Sequence, residues 1–173
     1  MQGGGGMLGY VAGGGRGSSD RLLAAVAERL RATGFPLAGV VQINTVFDPA
    51  RPCHMDLQVL TRNETLRISQ NLGPLARGCR LDPSGLETAV GLVQAALSDG
   101  PRLLIVNKFG KVEAEGRGFR PVIGTALAAG VPVLTSVSPG NLAAFTAFAE
   151  DMAEPLPPDE EALIAWVRAQ PAP

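Results

Sequence analysis

The sequence predicts one three-layer α/β domain with a mostly parallel sheet, helices on both faces and an inserted β-hairpin. Short apolar runs that end at glycine or polar residues alternate with segments whose apolar residues recur at helical spacing. Two further runs of alternating residues flank a short polar turn, which is the pattern of a hairpin. The 173 residues suit one domain, and a hydrophobic share of 46% is enough to form a substantial core.

The first elements in this order are a strand, a glycine turn, a helix and a second strand, which begin a parallel α/β sheet. An apolar run leads into glycines and then into polar residues suited to N-capping. Leucines and valines follow on one helical face as far as Gly34. The predicted bounds are 8–12 for the strand, 13–17 for the turn and 37–44 for the second strand, with Ser18, Ser19 and Asp20 as candidate caps.

The hairpin and the remaining strands and helices follow from the same patterns. Asp82 or Ser84 is expected to cap the second helix, with Pro83 in its first turn. The domain is predicted to span residues 7–150, and residues 151–173 to form a linker and a last helix packed on it; residues 1–6 are left out. The predicted elements are hairpin strands at 55–60 and 65–69, strands at 103–106 and 132–137, helices around 122–127 and 142–148, a linker at 151–158 and a helix capped by Asp159.

Composition and charge narrow the classes of partner. The formal net charge of −1 gives no general attraction to nucleic acid or to an anionic membrane. No apolar run approaches the roughly 18 residues of a membrane helix, and no secretory signal is recognised. Two cysteines and one histidine are too few for a disulfide framework or a zinc site, so no metal site is predicted. We expect a cytoplasmic protein that binds a small anionic ligand.

The glycine turn resembles a phosphate-binding P-loop, G-x-x-x-x-G-K-[ST], placed between a strand and a helix. In that motif backbone N–H groups cradle phosphate, the lysine neutralises charge and the hydroxyl contacts magnesium. In this chain Ala12 stands at the position of the motif's first glycine, and Ser18 stands at the position of its lysine. Triphosphate binding should therefore be weak unless Arg16 or Lys108 supplies the positive charge. The candidate ligand-binding residues of this loop are Gly13, Gly14, Gly15, Arg16, Gly17, Ser18 and Ser19. The alternative is a flexible turn without a ligand.

A second polar cluster follows the apolar run 103–106. P-loop proteins carry a magnesium-binding aspartate at the end of this strand, whereas this chain has Asn107. Lys108, Glu113 and Arg117 follow within a few residues, and ligands of open α/β sheets bind at the carboxyl ends of the strands. We therefore predict that this cluster lies beside the glycine loop, with Lys108 and Glu113 as candidate catalytic residues. A solvated turn is the alternative.

Arg77 and Arg80 lie in the loop that precedes the second helix. Two guanidinium groups there could bind an oxyanion bidentately, or they could pair with Glu113 and Glu115. Both interpretations stay open.

Two segments, residues 71–82 and 104–118, resemble a bacterial domain-of-unknown-function family. Its members are grouped with P-loop NTPases, and some are encoded beside molybdate-transport genes, so the resemblance implies a degenerate P-loop NTPase-like fold over about residues 7–150. A more distant similarity is to THEP-type nucleoside-triphosphatases. Their catalytic strand ends in an Asp-Glu pair, where this chain has Asn107 and Lys108.

Three functions are compatible with these residues. The first is binding of a phosphate-containing nucleotide or a molybdate-like oxyanion without efficient hydrolysis. The second is a magnesium-dependent nucleoside-triphosphatase in which Lys108 or Arg16 replaces the loop lysine and Glu113 acts as general base or magnesium ligand. The third is a protein-interaction module in which the helix around Trp166 docks a partner. The cofactor is left open between a nucleotide with Mg²⁺ and molybdate, and a homodimer through the hairpin edge is a further expectation.

Overall fold

A computed structural model of the chain describes residues 6–13, 17–45, 54–62, 64–69 and 81–173. The strands are β1 (Leu8–Ala12), β2 (Leu37–Thr45), β3 (His54–Val59), β4 (Glu64–Arg67), β5 (Leu103–Phe109), β6 (Val133–Val137) and β7 (Ala153–Pro155). The helices are α1 (Ser18–Ala32), α2 (Pro83–Ala96), α3 (Lys111–Ala114), α4 (Arg120–Ala128), α5 (Leu142–Ala149) and α6 (Glu160–Ala169). Three short 3-10 turns cover Leu97–Asp99, Pro139–Asn141 and Glu150–Met152.

The strands form one seven-stranded sheet in the order β4-β3-β2-β5-β6-β1-β7. The five strands from β2 to β7 in this order pair in parallel. The hairpin β3–β4 adds to the β2 edge with antiparallel pairing. The predicted α/β class, with a mostly parallel sheet and an inserted hairpin, is therefore confirmed. Because these five strands run parallel, their carboxyl ends all lie at one edge of the sheet, and crossover connections join one strand to the next.

Each face of the sheet is covered by helices, which gives the three layers. On one face α1 and α6 pack around Leu23, Leu30 and Leu163, all of them fully buried. On the other face α2, α4 and α5 cover a second cluster around Val106 and Phe145. Alternate residues of the same strand supply the two clusters, because successive side chains of a strand point to opposite faces. In β5, for example, Ile105 belongs to the first cluster and Val106 to the second.

The carboxyl-terminal segment differs from the predicted linker. Ala153–Pro155 forms β7, which pairs in parallel with β1 at the edge of the sheet. The strand has only three residues and ends at a proline, and neither feature gives the alternation by which a strand is recognised in sequence. The α6 helix that follows is capped as predicted, since the Asp159 side chain accepts a hydrogen bond from the Ala162 N–H at 2.9 Å.

The helix caps correct the prediction for α1 and agree with one of the two predicted caps for α2. The N-cap of α1 is Gly17, with φ of 74°, and Ser18, Ser19 and Asp20 all lie in the first turn of the helix. A left-handed backbone at this position favours glycine. For α2 the cap is Asp82, whose side chain accepts the Ser84 N–H at 3.0 Å. None of the helices among the described residues is both long and apolar enough to cross a membrane.

Candidate functional site

The glycine loop occupies the place that a P-loop requires, between the carboxyl end of β1 and the first turn of α1. At its start the Gly13 N–H donates to the Val137 carbonyl oxygen of β6 at 3.0 Å. At its end Gly17 enters α1, so the backbone N–H groups of the first helical turn face the loop. Ser18 and Ser19 are half-buried in that turn. Gly14, Gly15 and Arg16 lie outside the described residues.

Asn107 lies at the same edge of the sheet, inside β5 rather than after it, because this strand continues to Phe109. Its side chain is 3% exposed. The Gln42 backbone N–H donates to Asn107 Oδ1 at 2.8 Å, and Asn107 Nδ2 donates to Asp20 Oδ1 at 2.8 Å. The Ser136 hydroxyl donates to the Asn107 carbonyl oxygen at 2.6 Å. The side chain of Asn107 thus links β2 and β5 to the first turn of α1, and its backbone carbonyl oxygen bonds to β6.

The orientation of the Asn107 amide follows from its partners. A backbone N–H is always a donor, so the atom that faces Gln42 must be the oxygen, and the nitrogen must face Asp20. The oxygen is therefore already hydrogen bonded, and the nitrogen cannot bind a cation. The amide oxygen and nitrogen of Asn107 therefore do not fit the role of the magnesium ligand that a P-loop enzyme has at this position. Over the described part of the chain, no three His, Cys, Asp or Glu side chains are grouped as metal ligands.

Two residues of this edge were not among the predicted ligands. Asp20 brings a carboxylate to Asn107, and Arg21 lies over the end of the glycine loop. A Cβ built on Gly17 would lie 3.2 Å from Arg21 Nη1, so the guanidinium group covers that glycine. The signal in the sequence is spacing, because Arg21 follows Gly17 by one helical turn. Arg21 is exposed and forms no ion pair with another described residue.

Lys108 and Glu113 border a cavity on the face of the sheet that α2 and α4 cover, and Asn107 lines the same cavity. Lys108 follows Asn107 in β5, and its side chain borders a cavity together with Val40, Leu57 and Phe119 of the second core cluster. Its stem passes over Gly110, since a Cβ built there would lie 3.7 Å from Lys108 Cε. The structure thus brings Asn107 to the start of α1 and directs Lys108 toward the β3 and α2 side.

The Glu113 carboxylate is 5% exposed and holds the connection between β5 and α4 together. Oε1 accepts the Gly110 N–H and Oε2 accepts the Phe119 N–H, both at 3.0 Å. Gly118 passes so close, with φ of 61°, that a Cβ there would overlap Glu113 Oε2. Burial raises the pKa of Glu113, while the two backbone donors and the nearby Lys108 charge oppose that rise.

The remaining predicted ligands are arginines. Arg117 is on the surface, where its guanidinium group donates to the Glu115 carboxylate at 2.5 Å. Because both side chains are exposed to solvent, this ion pair contributes little to the free energy of unfolding. Arg77 and Arg80 lie outside the described residues, as do Cys53 and Cys79.

Comparison with known proteins gives one curated relative. The chain is 35% identical over 151 residues to the molybdenum import ATP-binding protein ModC 2 of Bradyrhizobium diazoefficiens. The match covers 86% of this chain but only 17% of the relative, so the chain spans about a sixth of that protein's length. No solved structure matches the chain.

The architecture and this similarity together confirm the predicted P-loop NTPase-like fold class. The resemblance found in residues 71–82 and 104–118 is confirmed as well, because a family model matches residues 8–166. With most of its length matched, the chain belongs to the DUF2478 family, whose description is a protein of unknown function.

Proposed function

We propose that this protein binds a phosphate-containing nucleotide or a small oxyanion of the molybdate kind at the β1–α1 loop, without efficient hydrolysis. The observation that carries the proposal is the buried Asn107 amide, which stands where P-loop enzymes hold magnesium and is hydrogen bonded on both sides to Gln42 and Asp20. The backbone N–H groups that would bind an anion at the loop are retained, whereas the aspartate that would hold magnesium for hydrolysis is absent.

Three features support an anion at this loop. The first turn of α1 presents backbone N–H groups at the positive end of a 15-residue helix dipole. The Arg21 guanidinium group covers the last glycine of the loop and can take over part of the charge of the missing lysine. The similarity to a molybdenum import ATP-binding protein favours ATP or molybdate among the possible anions.

The nucleoside-triphosphatase alternative has less support. Lys108 borders a cavity against β3 and α2 whose lining includes no described residue of α1, so it is poorly placed to replace the loop lysine. Glu113 uses both carboxylate oxygens to accept backbone N–H groups, so its geometry is that of a positioning residue for residues 110–119.

The interaction-module alternative requires an exposed apolar surface on α6, around Trp166. Trp166 is 8% exposed, and its indole N–H donates to Glu154 Oε2 at 2.9 Å. Leu163 and Val167 of the same helix are buried against α1. The apolar face of α6 is therefore occupied by the chain itself.

The test is a thermal melt of the purified protein with ATP, GTP, pyrophosphate, sulfate and molybdate, each with and without magnesium. A ligand at about 100 times its Kd adds about 2.7 kcal/mol, or about 5–10 °C for a domain of this size. We expect a shift with at least one of these anions that does not require magnesium. Phosphate release from ATP and GTP is measured in the same samples, and we expect none above background.

Arg21→Met is the matched variant, and Arg31→Met, at the far end of α1, is its control. Loss of the ligand shift in the first and its retention in the second would locate the anion at the loop. Magnesium-dependent turnover that survives purification would contradict the proposal and favour the nucleoside-triphosphatase. No shift with any of these anions would contradict both.

A further inference from the structure

A cavity of about 280 Å³ lies beneath the carboxyl ends of β2 and β5, on the face of the sheet opposite α1. The side chains that form it come from β2, β3, α2 and the β5–α4 connection. Among the described residues most of the lining is apolar, and Val40, Leu57, Leu86 and Phe119 are representative. The polar residues of the lining are Gln42, Asn107, Lys108 and Glu113.

The size of the cavity limits what it can hold. An apolar cavity of about 150 Å³ takes up a benzene molecule, so one of 280 Å³ suits a body of about a dozen non-hydrogen atoms. Small-molecule sites are mostly apolar with a few polar groups that orient the ligand. A lining of this kind disfavours an inorganic anion, because an ion inside it would lose its hydration without enough donors in return.

The positive charge of Lys108 at the cavity indicates which polar group the ligand should carry. Lys108 is exposed and forms no ion pair with another described residue. Glu113 borders the same cavity, yet its two oxygens already accept the Gly110 and Phe119 N–H groups. Among the described lining residues, a ligand that lies along the apolar wall would therefore meet the Lys108 ammonium group as its cationic partner.

We propose that this cavity is a second binding site, for a small organic anion with an apolar body and a carboxylate that pairs with Lys108. It is distinct from the glycine loop, because its lining includes no described residue of that loop or of α1. The two sites share a border at Asn107, which lines the cavity and donates to Asp20 of α1.

The test uses 2-naphthoate as the probe and 2-naphthol, which is neutral at pH 7, as its uncharged counterpart, with both Kd values measured by calorimetry. We expect 2-naphthoate to bind more tightly than 2-naphthol. Lys108→Met should weaken 2-naphthoate about tenfold and leave 2-naphthol unchanged, because it removes the charge and keeps the apolar stem. Lys111→Met, three residues along and outside the cavity lining, should change neither.

A second variant tests the cavity itself. Leu81→Trp fills the space from its α2 side and should abolish binding of both probes, while Leu92→Trp, on α2 but outside the lining, should not. Saturating ATP or pyrophosphate should not displace 2-naphthoate. Displacement would make the cavity part of the loop site and overturn the inference of a second site. Absence of 2-naphthoate binding in the wild type, or equal losses in Lys108→Met and Lys111→Met, would overturn it as well, without bearing on the anion at the loop.

Discussion

Replacing Glu113 by alanine tests whether this carboxylate holds the β5–α4 connection together. The change removes the only acceptor that the structure gives to the buried N–H groups of Gly110 and Phe119. Each orphaned buried donor costs about 1–3 kcal/mol, so the loss of both partners should lower the unfolding free energy by about 2–6 kcal/mol. That is a large share of the about 5–15 kcal/mol that a domain typically has.

The measurement is urea unfolding followed by the fluorescence of Trp166, the single tryptophan, which is buried in the folded chain. A loss of this size lowers Tm by about 5–15 °C. Glu115→Gln is the control, since Glu115 makes only a surface ion pair and should cost less than about 1 kcal/mol. A Glu113→Ala variant as stable as the control would refute a structural role for this carboxylate.

The pH dependence gives an independent check on the same group. Burial raises the pKa of Glu113 above its ordinary value of 4.5, so the folded protein binds this proton more tightly than the unfolded chain does. The stabilisation that this proton provides is complete below pH 4.5 and is lost as the pH rises through the folded pKa. Glu113→Gln cannot titrate, so its deficit relative to the wild type should shrink as the pH rises from 4.5. A deficit that grows over that range would show that the pKa is lowered instead.

Three further substitutions have expected outcomes. Asn107→Asp would place a second carboxylate beside Asp20, where the donor now lies at 2.8 Å, and should cost about 2–4 kcal/mol in urea unfolding at pH 7 and less at pH 5. Gly118→Ala adds a Cβ in a left-handed conformation and should lower the unfolding free energy by about 1–3 kcal/mol; a neutral result would mean that Glu113 moves aside easily. Trp166→Phe removes one hydrogen bond, so a Tm fall of about 2–4 °C is expected in calorimetry, and a larger fall would indicate lost packing.

The sheet and its helices were predictable because their apolar residues follow regular periods. The pairing of hairpin strands β3 and β4 agrees with the structure for this reason, whereas the Asp159 cap follows from a carboxylate that accepts a backbone N–H. The short strand β7 was missed because three residues ending in Pro155 carry no period. The predicted strand ended at Val106 because Asn107 and Lys108 are polar, whereas β5 continues to Phe109. Asn107 is buried and hydrogen bonded to Gln42, and no sequence pattern shows that contact.

The candidate site was predictable in its position but not in its partners. Asn107 at the carboxyl end of β5 contacts Asp20 in the first turn of α1, the helix that follows the glycine loop. Alternation along β5 does not predict the side of Lys108, because the register shifts between Val106 and Phe109 and both of these residues pack in the second core cluster. The contact of Asp20 with Asn107 joins residues far apart in the chain, and such pairings depend on the register of packing rather than on local sequence.

The position of β1 has a consequence for how the chain folds. Leu8 pairs with Val133 on one side and with Ala153 on the other, so this early strand is completed by two strands that a ribosome makes much later. Until Pro155 has been synthesised, β1 keeps an unpaired edge, and contacts so distant in sequence slow the search for the native state. During synthesis, we expect the hairpin and β2 to order first and the two edges of β1 to be paired last.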